Sequence, residues 1–141
     1  MQQQRLHQTS SAFGASAAKY MSSSITLPQG KWFVYLGLLV RGATAANTRY
    51  AARFTFSSSQ SSNTISGFSF INNNRYILNQ TVNGSAGAYE YGLFANGIVR
   101  VDVTSPSVTL YLWDENTRNF GATSISVGNN GENYLFAIRG N

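Results

Sequence analysis

The sequence predicts an all-β fold: one sandwich or barrel of about eight to ten short strands behind an extended N-terminal arm. Three features predict it. Apolar residues alternate with polar ones through segment after segment. Turn-forming pairs and triplets recur between these segments. No stretch repeats its apolar residues at the 3.6-residue spacing of an amphipathic helix.

Residues 1–22 are rich in Gln, Ser and Ala and show little periodicity, which marks an arm that stays ordered only when something holds it. The folded domain then covers residues 23–141. Ile25 and Leu27 lead into Pro28-Gln29-Gly30, where Pro sets φ and Gly admits positive φ. Residues 31–41 form a long strand with two apolar sides, Trp32, Val34, Leu36, Leu38 and Val40 on one and Phe33, Tyr35 and Leu39 on the other. Such a strand is buried twice, in a core and beneath a second surface. Residues 49–57 alternate cleanly, Tyr50, Ala52, Phe54 and Phe56 against Arg49, Arg53, Thr55 and Ser57, as a half-exposed strand does. A Ser-rich loop over 57–63 precedes strands over 64–71 and 75–82, which turn at Asn72-Asn73-Asn74. Asn83-Gly84 and Asn96-Gly97 carry the signature of tight turns, the second joining strands over 88–95 and 98–104. Ser105-Pro106 interrupts the chain before a strand over 107–113, and Asp114-Glu115-Asn116 forms a turn. Strands over 122–127 and 133–139 flank a loop over 128–131.

Composition removes several function classes. With no cysteine, disulfides, thiolate zinc sites and thiol nucleophiles are excluded. The net charge of +5 reflects scarce acids, because only 11% of residues are charged. The basic residues lie scattered, with no run of three, so no nucleic-acid footprint is expected. No apolar leader opens the chain, and the apolar run 32–40 is too short for a membrane helix. An outer-membrane barrel would need an export signal and an apolar lipid-facing band, and neither is expected here. Neither nucleic acid nor membrane is an expected partner.

Catalytic chemistry has little to build on. The lone histidine, His7, sits in the polar arm, away from the rigid frame a triad requires. Five acids, Glu90, Asp102, Asp114, Glu115 and Glu132, have no spacing that pairs them for acid–base work. Asp102 is expected to pair with a neighbouring arginine. Asp114, Glu115 and Asn116 offer hard oxygens of the kind calcium takes, but without a loop pattern, so a plain turn is expected. No catalytic residue, metal site or cofactor is expected.

The aromatic residues carry the remaining signal. Val108, Leu110 and Leu112 can fill a core, which sends Tyr111 and Trp113 to the opposite face. In the last strand Tyr134, Phe136 and Ile138 oppose Leu135 and Ala137, so both faces are apolar. Phe33, Tyr35, Tyr111, Trp113, Tyr134 and Phe136 are therefore the expected subunit interface, since surplus apolar faces mark a second burial surface. The same aromatic residues would serve a sugar platform.

Two stretches resemble a known group. The run Ile25-Thr26-Leu27-Pro28-Gln29-Gly30-Lys31-Trp32-Phe33-Val34 resembles the opening of small bacteriophage jelly-roll domains, in which a strand ending in Leu-Pro-x-Gly leads into an aromatic-rich strand. Tyr134-Leu135-Phe136-Ala137-Ile138-Arg139 resembles their closing strand. Such domains look like the trimeric jelly rolls of the C1q and tumour-necrosis-factor group. The resemblance implies a jelly-roll β-sandwich, a homotrimer, and a non-enzymatic place in the virion as capsid cement, decoration or head-fibre component. Its partners would then be further copies of itself and other virion proteins such as the major capsid protein. Arg5, Leu6, Phe13 and Tyr20 would be the attachment residues of the arm. The short chain favours this over a tail fibre, which usually brings a long shaft. The leading alternative is a receptor-binding knob recognising host surface glycan through residues 57–63, 72–74 and 129–132. A monomeric carbohydrate-binding module is the second alternative.

Overall fold

The computed structural model describes residues 2–4, 18–82, 87–90, 94–115, 118–127 and 133–141. The fold is all-β: among the described residues, eight strands lie in one antiparallel sheet and a single 3-10 turn at Ile71–Asn73 is the helical content. The strands are β1 (Gln2–Gln4), β2 (Lys19–Ser57), β3 (Phe68–Phe70), β4 (Ile77–Val82), β5 (Gly87–Glu90), β6 (Phe94–Asp114), β7 (Arg118–Val127) and β8 (Tyr134–Arg139).

Two long strands organise everything else. β2 and β6 form an antiparallel pair that changes register between Pro28 and Gly30. Before this point, residues 19–28 pair with 107–114; after it, residues 30–39 pair with 94–103. Pro28 lies opposite Ser107 and Gly30 opposite Val103, so one residue on β2 spans three on β6. Unequal lengths bend a ladder, and the residues here suit a bend. Gly30 has φ 135, and the carbonyl of Gly67 accepts from the amides of Thr104 (2.9 Å) and Ser105 (3.2 Å). Trp32 Nε1 donates to the Pro28 carbonyl (2.9 Å), and Arg139 closes the corner by donating to the Gln29 carbonyl (3.0 Å).

The bend divides the sheet into two ladders. In the first, residues 111–114 lie between 19–24 and the end of β2, where Phe54 faces Asp114 and Ser57 faces Tyr111; β4 pairs with residues 49–54 beyond. The second runs in the order β1, β8, β2, β6, β3. Each sends alternate residues into one shared core. Met21, Ile25, Leu27, Phe54, Phe56, Leu110 and Leu112 come from the first, and Trp32, Val34, Leu36, Val99, Val101 and Leu135 from the second.

Several sequence expectations need correction. Lys19–Ser22, placed in the arm, belongs to β2. Met21 is 6% exposed and Ser23 8%, continuing the inward alternation of Ile25 and Leu27; serine-rich spacing hid that pattern. Residues 54–57 are buried on both sides, because Thr55 Oγ1 donates to the Arg75 carbonyl (2.8 Å) and Ser57 Oγ to the Ser62 carbonyl (2.7 Å). The strand expected over 64–71 shrinks to β3, while Asn72 and Asn73 make the expected turn with φ 60 and 55, a conformation asparagine tolerates. Asn96-Gly97 is no turn, since β6 runs straight through it.

The glycine there has a different purpose. Gly97 lies opposite Leu36 on the core side, and a Cβ placed on it would come within 3.1 Å of two Ile77 side-chain carbons. Ile77 of the first ladder thus fills the space of the missing side chain in the second. Gly97→Val is expected to destabilise the fold by about 1–2 kcal/mol through overpacking, with partial recovery in Gly97→Val/Ile77→Ala. Chemical denaturation of the four proteins in the cycle checks this.

Candidate functional site

The strongest surface feature is the outward side of the second ladder. On β2, side chains alternate, so that Trp32, Val34 and Leu36 point inward while Phe33 and Tyr35 stay half-buried on the opposite side. Register brings neighbours of the same kind beside them. Phe33 lies between Ile138 and Arg100, and Tyr35 between Phe136 and Ile98. Gly37 lies between Tyr134 and Asn96. The result is an apolar patch across three strands.

Its geometry is ordered. Tyr35 and Phe136 stack with centroids 4.6 Å apart and an interplanar angle of 6°. Tyr134 tilts against Phe136 at 5.7 Å. The Arg100 guanidinium lies 5.3 Å over the Phe33 ring. Gly140 passes close below: its amide donates to the Lys31 carbonyl (2.8 Å), and a Cβ on it would meet the Phe33 ring at 2.9 Å. Ile98 (47% exposed) and Ile138 (42%) flank the rings and leave apolar surface in contact with water. Lys31 and Asp102, opposite each other in register, sit at one end. Arg53 and Arg75 pair with Glu115 rather than with Asp102, whose register neighbour is Lys31.

Four of the six expected interface residues, Phe33, Tyr35, Tyr134 and Phe136, therefore share one face. The other two lie elsewhere. Tyr111 packs edge-on against Tyr20 at 5.5 Å in the first ladder. Trp113 is 6% exposed, and its Nε1 donates to the Ser59 carbonyl (2.9 Å). Alternation correctly set Trp113 opposite Leu112, but the Ser-rich loop folds over that side and covers the indole with the protein's own chain. Alternation places Ile138 on this face with Tyr134 and Phe136; Ile98 was missed, although period two along its strand marks it as outward.

Tyr20, expected in the attachment arm, lies in β2. It is half-buried beside Tyr111, and burial together with that neighbour pushes its phenol pKa up against a hydrogen bond with Ser24. Arg5, Leu6, Phe13 and His7 lie outside the described residues.

The outward side of the first ladder contrasts with the apolar patch. Thr26 and Thr109 share a hydroxyl hydrogen bond (2.8 Å), and Ser24 and Tyr111 continue the polar row. Among the described residues, Thr26, Thr109, Ser24 and Tyr111 thus give this side hydroxyl groups where the second ladder carries the aromatic rings.

A polar cluster ties the loops to the end of β6. The Glu115 carboxylate accepts from Asn63 Nδ2 (2.8 Å), Arg75 (3.1 Å) and the Tyr76 hydroxyl (3.2 Å), with Arg53 at 3.9 Å. Both guanidinium groups lie over the Tyr76 ring, at 4.5 and 4.8 Å. Arg53 Nε also donates to the Glu115 carbonyl (3.0 Å), and the Glu115 amide donates to the Arg53 carbonyl (2.7 Å). Burial would raise the Glu115 pKa, but the hydrogen bonds from Asn63, Arg75 and Tyr76 and the charge of Arg75 outweigh it and hold the carboxyl below its ordinary value. The Glu115 oxygens, two of those considered for a cation, already accept from Asn63, Arg75 and Tyr76, and the two guanidinium groups beside them repel a further cation; Asn116 lies outside the described residues.

The Ser-rich loop is held closely. Ser57 Oγ accepts from the amides of Ser59 (3.1 Å) and Thr64 (2.9 Å), and Ser58 N donates to the Thr64 carbonyl (2.8 Å). Residues 72–74 are exposed, and 129–132 lie outside the described residues. The chain matches no protein-family model, no curated protein and no solved structure.

Proposed function

We propose that the protein is a non-enzymatic structural protein of a bacteriophage virion, a jelly-roll sandwich that assembles as a homotrimer on the particle as capsid cement, decoration or head-fibre component. The observation that carries this reading is the apolar patch of Phe33, Tyr35, Ile98, Tyr134, Phe136 and Ile138 on one side of the sheet. A contiguous aromatic and aliphatic surface of this kind favours a macromolecular contact, because water gains by its burial. The opposite, hydroxylated side suits solvent, so each subunit has an inner and an outer face. Two bent ladders around one core support the jelly-roll reading, and the resemblance of residues 25–34 and 134–139 supports the virion placement.

A receptor-binding knob for host glycan is the alternative, and exposed Asn72, Asn73 and Asn74 favour it by offering amide donors and acceptors. The patch itself suits a sugar poorly. Sugar recognition needs fixed polar groups around an aromatic ring, whereas the Tyr35 and Phe136 rings are flanked by Ile98 and Ile138.

Light scattering on the purified chain tests the assembly. A stable trimer is expected, and Phe136→Asp weakens it at least about tenfold while leaving the far-ultraviolet spectrum unchanged. A wild-type monomer overturns the trimer. Mass spectrometry of purified virions tests the placement: the chain is expected in stoichiometric amount with the capsid protein, and its absence from particles overturns the virion role.

A further inference from the structure

β1 pairs with β8 in antiparallel register, Gln2 opposite Ala137, Gln3 opposite Phe136 and Gln4 opposite Leu135. β8 uses its other edge to pair with residues 32–37 of β2, so the β1 slot is the outer edge of the second ladder. We infer that this edge is a strand-acceptor site whose occupant in the assembled protein is β1 of a neighbouring copy. The inference rests on the reading of the adjacent apolar patch as a subunit contact.

Three observations lead to it. The slot lies beside the patch, since β8 supplies both its edge to β1 and Tyr134 and Phe136 to the apolar face. A copy seated on the patch is therefore next to the acceptor edge. Second, an antiparallel ladder is held by main-chain hydrogen bonds that depend little on sequence, so the same three residues fit the edge of their own chain or of another equally well. Third, residues 5–18, which join β1 to β2, number fourteen and reach at most about 50 Å. A domain of this length has a radius of gyration of about 14 Å, so the tether reaches past it to a neighbour. With equal pairing on both sides, local concentration decides. A tether favours its own edge in the monomer, and subunit contact raises the neighbour's edge to a comparable level. Exchange then links every subunit to the next, which a patch contact alone does not.

The absence of cysteine makes a direct test clean. Gln3→Cys and Phe136→Cys chains are unfolded together, refolded as an equal mixture and oxidised; Gln2→Cys and Ala137→Cys form a second mixture. Two registers are used because successive antiparallel pairs alternate in spacing, and only one suits a disulfide. Ala137→Cys also leaves the aromatic face intact. The expected result is a shift from monomer to dimer on a non-reducing gel, with peptide mapping joining the two substituted positions. That link forms only between chains. The inference is overturned if neither mixture gives the link while either double variant closes its disulfide within one chain. Light scattering on the Gln2→Cys and Ala137→Cys mixture, whose aromatic face is intact, separates the two readings. Oligomers without the link sink strand exchange and leave the patch contact standing, whereas monomers sink both.

Discussion

Trp113→Ala is expected to lower the unfolding free energy by about 3–5 kcal/mol, the largest single-residue loss among the side chains considered. The indole is 6% exposed between β6 and the loop over 57–66, with Thr55 opposite it in register. Removing it takes away a large apolar volume and strips the Ser59 carbonyl of its donor at 2.9 Å. Collapse into the space is hindered, because Ser57, Ser58 and Thr64 fix the loop through their own hydrogen bonds. Trp113→Phe keeps most of the volume and loses the N–H, and is expected to cost about 1–2 kcal/mol. Urea denaturation at fixed protein concentration measures both. The series also separates the two roles given to this residue. A core tryptophan changes the unfolding midpoint and leaves the native mass unaltered. An interface tryptophan changes the mass and spares the monomer's stability, so a loss below about 1 kcal/mol with a change of mass would return Trp113 to the subunit contact.

The contrast between Trp113 and Phe136 shows what was legible in the sequence. Both follow from period-two alternation, and both lie opposite the core residue beside them. Phe136 stays on the outward face, half-buried, because β8, β2 and β6 carry like residues beside it in register. Trp113 is instead covered by a loop distant in sequence whose backbone carbonyl finds the indole. Alternation reports which side a residue is on and is silent on what a loop does to that side. The same limit explains Thr55 and Ser57. Polar residues on an alternating strand predict exposure, but carbonyls from residues 62 and 75 satisfy them and allow full burial. Asn96-Gly97 failed for another reason. Glycine after asparagine marks a turn when backbone conformation demands it, yet here the demand is space for Ile77. Pro28-Gln29-Gly30 and Ser105-Pro106 were both marked in the sequence because proline and glycine act locally, but β2 and β6 run on through them, and only pairing reveals that the turn and the break are one register change.

Glu115→Gln is expected to cost about 2–3 kcal/mol near neutral pH and to remove one component of the protein's acid sensitivity. In the wild type, hydrogen bonds from Asn63, Arg75 and Tyr76 and the charge of Arg75 overcome the burial penalty and hold the folded-state pKa of Glu115 below its unfolded value. Between those two values the unfolded chain binds more protons than the folded one, so lowering the pH favours unfolding. The stabilisation is complete above the ordinary glutamate pKa and is lost as pH falls through the depressed folded value. Glutamine accepts hydrogen bonds through one oxygen but carries no charge, so Arg53 and Arg75 lose their shared anion while remaining stacked near Tyr76. The side chain is 19% exposed, which places the loss between that of a surface pair and a buried one. Denaturant titrations across the acid range are expected to show wild type and variant converging as Glu115 becomes protonated. Parallel curves, with the variant displaced by the same amount at every pH, would mean that Glu115 holds the loops by shape rather than by charge. Salt gives a second reading of the same question. Screening weakens the attraction between Glu115 and the two arginines, so raising ionic strength narrows the gap between wild type and variant if charge supplies the difference.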